Sequence, residues 1–216
     1  MTPLLSILIP VTPDRLEICQ YLVKKIGFNF GLHHFVNDTE WVQAWVSENE
    51  EVELIVYNDQ KVITIGEKRE KLYDYSLGLF SWQIDSDDDI ADNAIELILN
   101  AIKSNPDVDV ISFEEYVNMD GKEYRSNHAA IYSGWEGDGN SIFPDGFHFH
   151  RTPFFKSVIR TELAKSNKKK KIRFGEDHAF ANDLHPLIKS EFHISEQLYR
   201  YIHRSSDHNT RYGIKD

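Results

Sequence analysis

Four short apolar runs divide the first half of this chain: Leu4–Pro10 (LLSILIP), Val52–Tyr57 (VELIVY), Ser81–Ile84 (SWQI) and Val108–Phe113 (VDVISF). Each has the length of a buried strand, and the stretches between them carry helical spacing. Leu16, Cys19, Leu22, Val23 and Ile26 form one such face, ending at Gly27. Ile90, Ala94, Leu97, Ile98, Ala101 and Ile102 form another, stopped by Asn105-Pro106. Further helices are expected over Thr39–Ser47, Gly66–Leu79, about Lys156–Ala164 and about Asp177–Leu184. Strands alternating with helices at this spacing imply right-handed crossovers and a mainly parallel sheet flanked by helices. From Asn118 to Phe149 five glycines break the pattern, so a hairpin or loop is expected there.

The 216 residues suffice for one α/β domain with a sizeable core, and 41% hydrophobic content is globular. No apolar run reaches membrane-spanning length, and Pro10 and Asp14 interrupt any signal-peptide layout. The single cysteine, Cys19, sits on a core-facing helical position and fits a reducing compartment. A soluble, cytoplasmic, single-domain protein is expected. A formal charge of −11 disfavours a protein that coats nucleic acid. The run Lys168–Lys171 reads as a solvated loop, with a local basic channel as the alternative.

Chemistry concentrates in Asp85-Ser86-Asp87-Asp88-Asp89, directly after the run Ser81–Ile84. In an open α/β sheet, ligands bind at the carboxyl ends of the strands. Carboxylates crowded there repel one another unless a cation relieves them. A hard divalent ion, Mg²⁺ or Mn²⁺, takes one or two carboxylates together with phosphate oxygens. The competing reading makes Asp87, Asp88 and Asp89 the acidic start of the following helix, where carboxylates cap amides and oppose the dipole.

Four segments in order carry a family likeness: Ser6-Ile7-Leu8-Ile9-Pro10 with Arg15; Gly66–Leu72 (GEKREKL) leading into Gly78–Asp88 (GLFSWQIDSDD); Phe174–Phe180 (FGEDHAF); and Tyr199–Ser206 (YRYIHRSS). Together they resemble family 2 glycosyltransferases. The resemblance implies a GT-A, Rossmann-like nucleotide-diphospho-sugar transferase fold, with a nucleotide-binding half over 1–117 and an acceptor-binding half over 118–216. It implies a metal-dependent, inverting transfer from a nucleoside diphosphate sugar, UDP-linked by default, to an acceptor hydroxyl on a glycan or a modified nucleic-acid base. Pro10, Thr12 and Arg15 would line the nucleotide pocket, and Asp59 would bond the nucleobase. Lys68 and Arg69 would lie near the phosphates. Asp85 would contact ribose or metal, and Asp87 would be the main ligand of Mn²⁺ or Mg²⁺. Asp177, preceded by Glu176, would be the catalytic base. Tyr57-Asn58-Asp59 and Glu70 depart from the family's usual Val-Asp-Asp and asparagine.

Other residues hold two readings each. His148 and His150 share a face in extended chain, as metal or substrate contacts or as ordinary satisfied histidines. His203 and His208 could approach the metal, and Arg204 and Arg211 phosphate oxygens. Trp135, Phe143, Phe147 and Phe149 form either a sugar-stacking acceptor wall or a satellite core, while Phe154-Phe155 is expected beneath the sheet. A nucleotidyltransferase would use the same carboxylates but would show a glycine-rich loop where Val11-Thr12-Pro13-Asp14 stands. A non-catalytic nucleotide-sugar sensor would tolerate loss of Asp177.

Overall fold

The structure, a computed structural model, describes residues 2–28, 40–167 and 175–203. Three parallel strands form its centre: β1 (Leu5–Val11) lies between β3 (Val52–Asn58) and β4 (Phe80–Gln83). Every residue in all three is buried, as continuous apolar runs require when both sheet faces are covered. The two-residue period of β1 sorts its side chains between two cores. Leu5, Ile7, Ile9 and Val11 meet Cys19, Leu22 and Val23 of α1 (Leu16–Lys25) and Ala94, Ile98 and Ile102 of α3 (Ala94–Ser104). Leu8 faces the other way, toward Leu72 and Tyr73 of α2 (Ile65–Tyr75), Ala164 of α4 (Thr161–Ser166) and Phe180 of α5 (Glu176–Leu184). Cys19 is fully buried, and burial pushes its thiol up to about 12, so it packs rather than reacts.

One sheet continues through both halves of the chain. β10 (Val158–Arg160) lies between β4 and β6 (Val110–Met119), antiparallel to each. β6 turns through Asp120 and Gly121, both at positive φ, into β7 (Lys122–His128). An Asp-Gly pair in left-handed conformation is the turn that a two-residue hairpin demands. β9 (Phe149–Arg151) and β8 (Trp135–Glu136) extend that edge. The long β11 (Glu191–His203) runs parallel to β6 and receives the two-residue β5 (Asp89–Ile90).

Several sequence expectations are corrected. The described part of Thr39–Ser47 is a strand, β2 (Trp41–Val46), antiparallel to β3. Trp41 and Trp45 fit either a helical or a two-residue period, and tertiary pairing decides such short runs. Trp41 and Trp45 pack on one core and Val42 on the other, as alternation requires. Ile90 belongs to β5, so the amphipathic helix begins only at Ala94. Within Lys156–Ala164, Val158–Arg160 form β10 and the helix starts at Thr161. The helix expected over Gly66–Leu79 ends at Tyr75; it starts under a capping box between Thr64 and Glu67. The sheet is mixed rather than mainly parallel: among the described residues, six of ten strand pairings are antiparallel.

Close backbone packing fixes the approach from α2 to β4. A Cβ on Gly78 would stand 2.6 Å from the Ser6 amide nitrogen and 2.9 Å from the Leu5 carbonyl carbon. The Gly78 amide donates to Ser6 Oγ at 2.8 Å, and that hydroxyl donates to Glu53 at 2.6 Å. Gly78→Ala is therefore expected to cost ~1–3 kcal/mol, as overpacking does, read as a drop in Tm. An unchanged Tm would show that the β1 backbone yields freely there.

Candidate active site

A cleft of about 840 Å³ opens where β1 and β4 end. Pro10 reaches it from the end of β1, Thr12 and Arg15 from the segment that follows, and Lys68 and Arg69 from the first two turns of α2. Asp85 and Asp87 enter from the loop after β4, and Glu176 and Asp177 from the start of α5. Four segments distant in sequence thus bring their singled-out residues to one cavity. Asp59 stands apart from the lining, at 1% exposure. Its carboxylate accepts from the amides of Lys61 (3.2 Å) and Ile63 (3.0 Å) and pairs with the Lys68 ammonium. These bonds hold a turn in which Gln60 and Lys61 both take left-handed φ, of 56° and 62°. Lys68 also donates to the Val11 carbonyl at 2.9 Å, tying α2 to the end of β1.

Arg69 is the hub of the donor side. Its guanidinium lies 3.4 Å from the Phe155 ring centroid and donates to Gln83 at 3.2 Å and Asp85 at 2.7 Å. Its Nε stands 3.6 Å from Glu176. Burial would raise the Asp85 carboxyl, but the charges of Arg69, Lys156 and Arg15 outweigh it and hold Asp85 below its ordinary value. Asp87 pairs with Arg15 at 2.5 Å. Glu176, half-covered between Arg69 and Asp177, is pushed up mainly by burial, with Arg69 opposing.

Asp88 and Asp89 do not open a helix, contrary to the helix-start reading. Asp88 is buried; it accepts from the Tyr199 hydroxyl at 2.7 Å and the Ile202 amide at 2.9 Å. The same hydroxyl accepts from the Asp85 amide at 3.0 Å, so β11 clamps the acidic loop. Burial pushes the Asp88 carboxyl up to about 7, with Lys156 opposing. Asp89 is in β5 and bonds Lys25 at 2.8 Å. Sequence reasoning missed the layer beneath. Lys156 stands 3.0 Å from Glu115 and 3.5 Å from Asp88, with Tyr201 and Tyr199 ring centroids at 3.9 and 4.5 Å. Glu115 is also bonded to His128 at 3.0 Å. No motif marks these residues; the available signal is charge inside two apolar stretches, Glu114-Glu115 in β6 and Lys156 after Phe154-Phe155.

Of the aromatic residues, Trp135, Phe149, Phe154 and Phe155 line the cleft; Phe154 packs on both Trp135 and Phe155, and Phe149 on Tyr124. His150 is stacked between Phe143 and Tyr132, at centroid distances of 4.1 and 4.3 Å, and bonds Asp145 at 2.9 Å. His148 accepts from the Arg125 amide at 3.2 Å. Both are outside the cleft lining, whereas His203 is part of it. Lys168–Lys171, Arg173, Phe174, Arg204, His208 and Arg211 lie outside the described residues. Among the described residues no group of three or more His, Cys, Asp or Glu is arranged to hold a metal ion. Asp85 and Asp87 nonetheless match the one or two carboxylates that a hard divalent ion takes when phosphate oxygens complete its shell.

No protein-family model matches the sequence, and no curated protein matches it. Solved structures resemble it. The crystal structure of S. aureus TarS 1-349 aligns with a TM-score of 0.60 at 14% identity, over 92% of this chain and 60% of that one. The chain shares its fold with TarS. The same fragment in complex with UDP-GlcNAc gives 0.58 at 13% identity, over 93% of this chain and 58% of that one. In complex with UDP it gives 0.57 at 14%, over 95% and 62%. This chain therefore spans less than two thirds of the TarS structures it matches. Among the described residues no helix is long and apolar enough to cross a membrane.

Proposed function

We propose that this chain is an inverting glycosyltransferase, moving a sugar from a UDP-linked donor to an acceptor hydroxyl, on a glycan in preference to a modified nucleic-acid base. One observation carries the reading: Pro10, Thr12, Arg15, Lys68, Arg69, Asp85, Asp87, Glu176 and Asp177, chosen for such chemistry, line a single cleft. The fold shared with TarS, which crystallises with UDP-GlcNAc and UDP, supports it.

In this reading Pro10, Thr12 and Arg15 flank the nucleotide, and Asp59 shapes the neighbouring turn rather than meeting the base directly. Asp87 and Asp85 would hold Mn²⁺ or Mg²⁺, which when bound supplies a Lewis acid for the charge on the departing diphosphate. Arg69 fixes Asp85 by a charge-assisted bond and shares Glu176, so donor loop and helix α5 are set together. Asp177 takes the proton of the acceptor hydroxyl as that oxygen forms its bond to the anomeric carbon. The bond from that carbon to the diphosphate oxygen breaks on the opposite face, and its electron pair leaves with the nucleotide.

Calorimetric titration with UDP, GDP and ADP, with and without Mn²⁺, tests the donor half. UDP is expected to bind at least tenfold more tightly when Mn²⁺ is present. If no nucleoside diphosphate gains affinity from the metal, the metal-dependent transferase is ruled out.

A further inference from the structure

Six Lys and Arg side chains line the cleft among the described residues: Arg15, Lys61, Lys68, Arg69, Arg151 and Lys156. Five are paired with carboxylates. Arg15 has Asp87, Lys61 has Asp14 at 3.0 Å, Lys68 has Asp59, Arg69 has Asp85, and Lys156 has Glu115. Arg151 has no carboxylate within ion-pair distance among the described residues. It projects from β9, with its guanidinium carbon 4.7 Å from the Phe149 ring centroid and 5.1 Å from that of Trp135. Its Nη1 donates to the backbone carbonyls of Glu136 (2.6 Å) and His150 (2.9 Å). Nε and Nη2 make no hydrogen bond among the described residues. Burial pulls its pKa below the ordinary arginine range, with the fields of Glu115 and Asp177 opposing.

A half-buried guanidinium held by aromatic faces and carbonyls is costly to keep without a counter-charge. The backbone bonds fix its plane, and the remaining edge suits two oxygens of one anion. Cations from the end of β1 and from α2 already serve one part of the cleft, whereas Arg151 comes from β9 with Trp135 and Phe149 and lies within the field of Asp177. We propose that Arg151 forms an anion subsite for the acceptor: the molecule whose hydroxyl is glycosylated carries a phosphate or carboxylate that docks here. This rests on the transferase reading, since it gives Asp177 and the cleft an acceptor to hold.

Truncated acceptors test it: glucose 6-phosphate, glucuronate and glucose, titrated by NMR into the full chain, with and without saturating UDP and Mg²⁺. One or both anionic sugars are expected to bind at least tenfold more tightly than glucose, and the stronger of the two identifies phosphate or carboxylate. Arg151→Gln should reduce that preference to within twofold and leave UDP affinity within twofold. Arg151→Lys, which keeps the charge but loses the planar fork, should retain only part of it. Equal binding of all three sugars by the wild type overturns the subsite, a result independent of whether either variant folds. Preference retained in Arg151→Gln also overturns it, as does UDP affinity falling in parallel, which would make Arg151 a donor contact. Failure of UDP itself to bind the wild type would instead count against the transferase, because the anion preference is also measured without nucleotide.

Discussion

Asp177→Asn should lower the turnover of sugar transfer about 10³-fold while leaving the affinity for UDP within twofold. A positioned general base supplies ~10²–10⁴ of rate, and Asn keeps the shape of the side chain while losing its basicity. The two adjacent carboxylates face different work. Glu176 lies 3.6 Å from Arg69 and belongs to the donor side, and burial pushes its carboxyl up. Asp177 accepts the His178 amide at 2.7 Å in the first turn of α5. It also acts electrostatically on Arg151. Glu176→Gln should accordingly weaken UDP binding through Arg69 and Asp85, and Asp177→Asn should not. Steady-state kinetics with parallel UDP titrations separate the two. A matched loss of binding and turnover in Asp177→Asn would reduce it to a helix cap.

The central strands and the cleft lining were legible because each rests on local pattern. Leu5–Val11 and Val52–Asn58 are buried on both faces, so their sequences are continuous apolar runs that few other structures accommodate. Asp85 and Asp87 stand out as charges directly after the apolar run of β4, whereas Asp177, at the start of α5, stands out only through the segment Phe174–Phe180. What escaped notice depends on contacts between distant segments. The sequence of β2 suits a helix as well as a strand, because Trp41 and Trp45 satisfy both periods over six residues. β10 is three residues long and exists only because β4 and β6 flank it. Asp88 looked like a helix start because the chain around it gives no hint that Tyr199, 111 positions away, bonds its carboxylate. Asp59 shows its charge in the sequence but not its 1% exposure, nor the bonds from the Lys61 and Ile63 amides that place it in a turn.

Lys156→Met should destabilise the fold by ~3–5 kcal/mol at neutral pH, because it strands two buried carboxylates without their counter-charge. At roughly 2–4 °C per kcal/mol for a chain of this size, Tm should fall by about 10 °C. Lys156 is held charged despite burial by Glu115 and Asp88, and it in turn keeps Glu115 ionised, down to about 2. The sign of the pH dependence follows from Glu115. Its folded pKa lies below the ordinary carboxylate value of about 4.5, so its stabilisation is complete above that value and is lost as pH falls toward about 2. Asp88 runs the other way: raised to about 7, its carboxyl favours the fold most when protonated, and that contribution fades as pH rises through 7. In Lys156→Met both groups are free to take up protons, and a neutral carboxyl needs no ammonium beside it. The Tm gap between wild type and variant should therefore be widest above pH 7 and narrow steadily toward pH 4. A gap that stays constant with pH would mean that Lys156 serves through its packing on Tyr199 and Tyr201 alone. Because Tyr199 joins Asp88 to the amide of Asp85, the same substitution should loosen the acidic loop and weaken UDP binding even at temperatures where the fold persists.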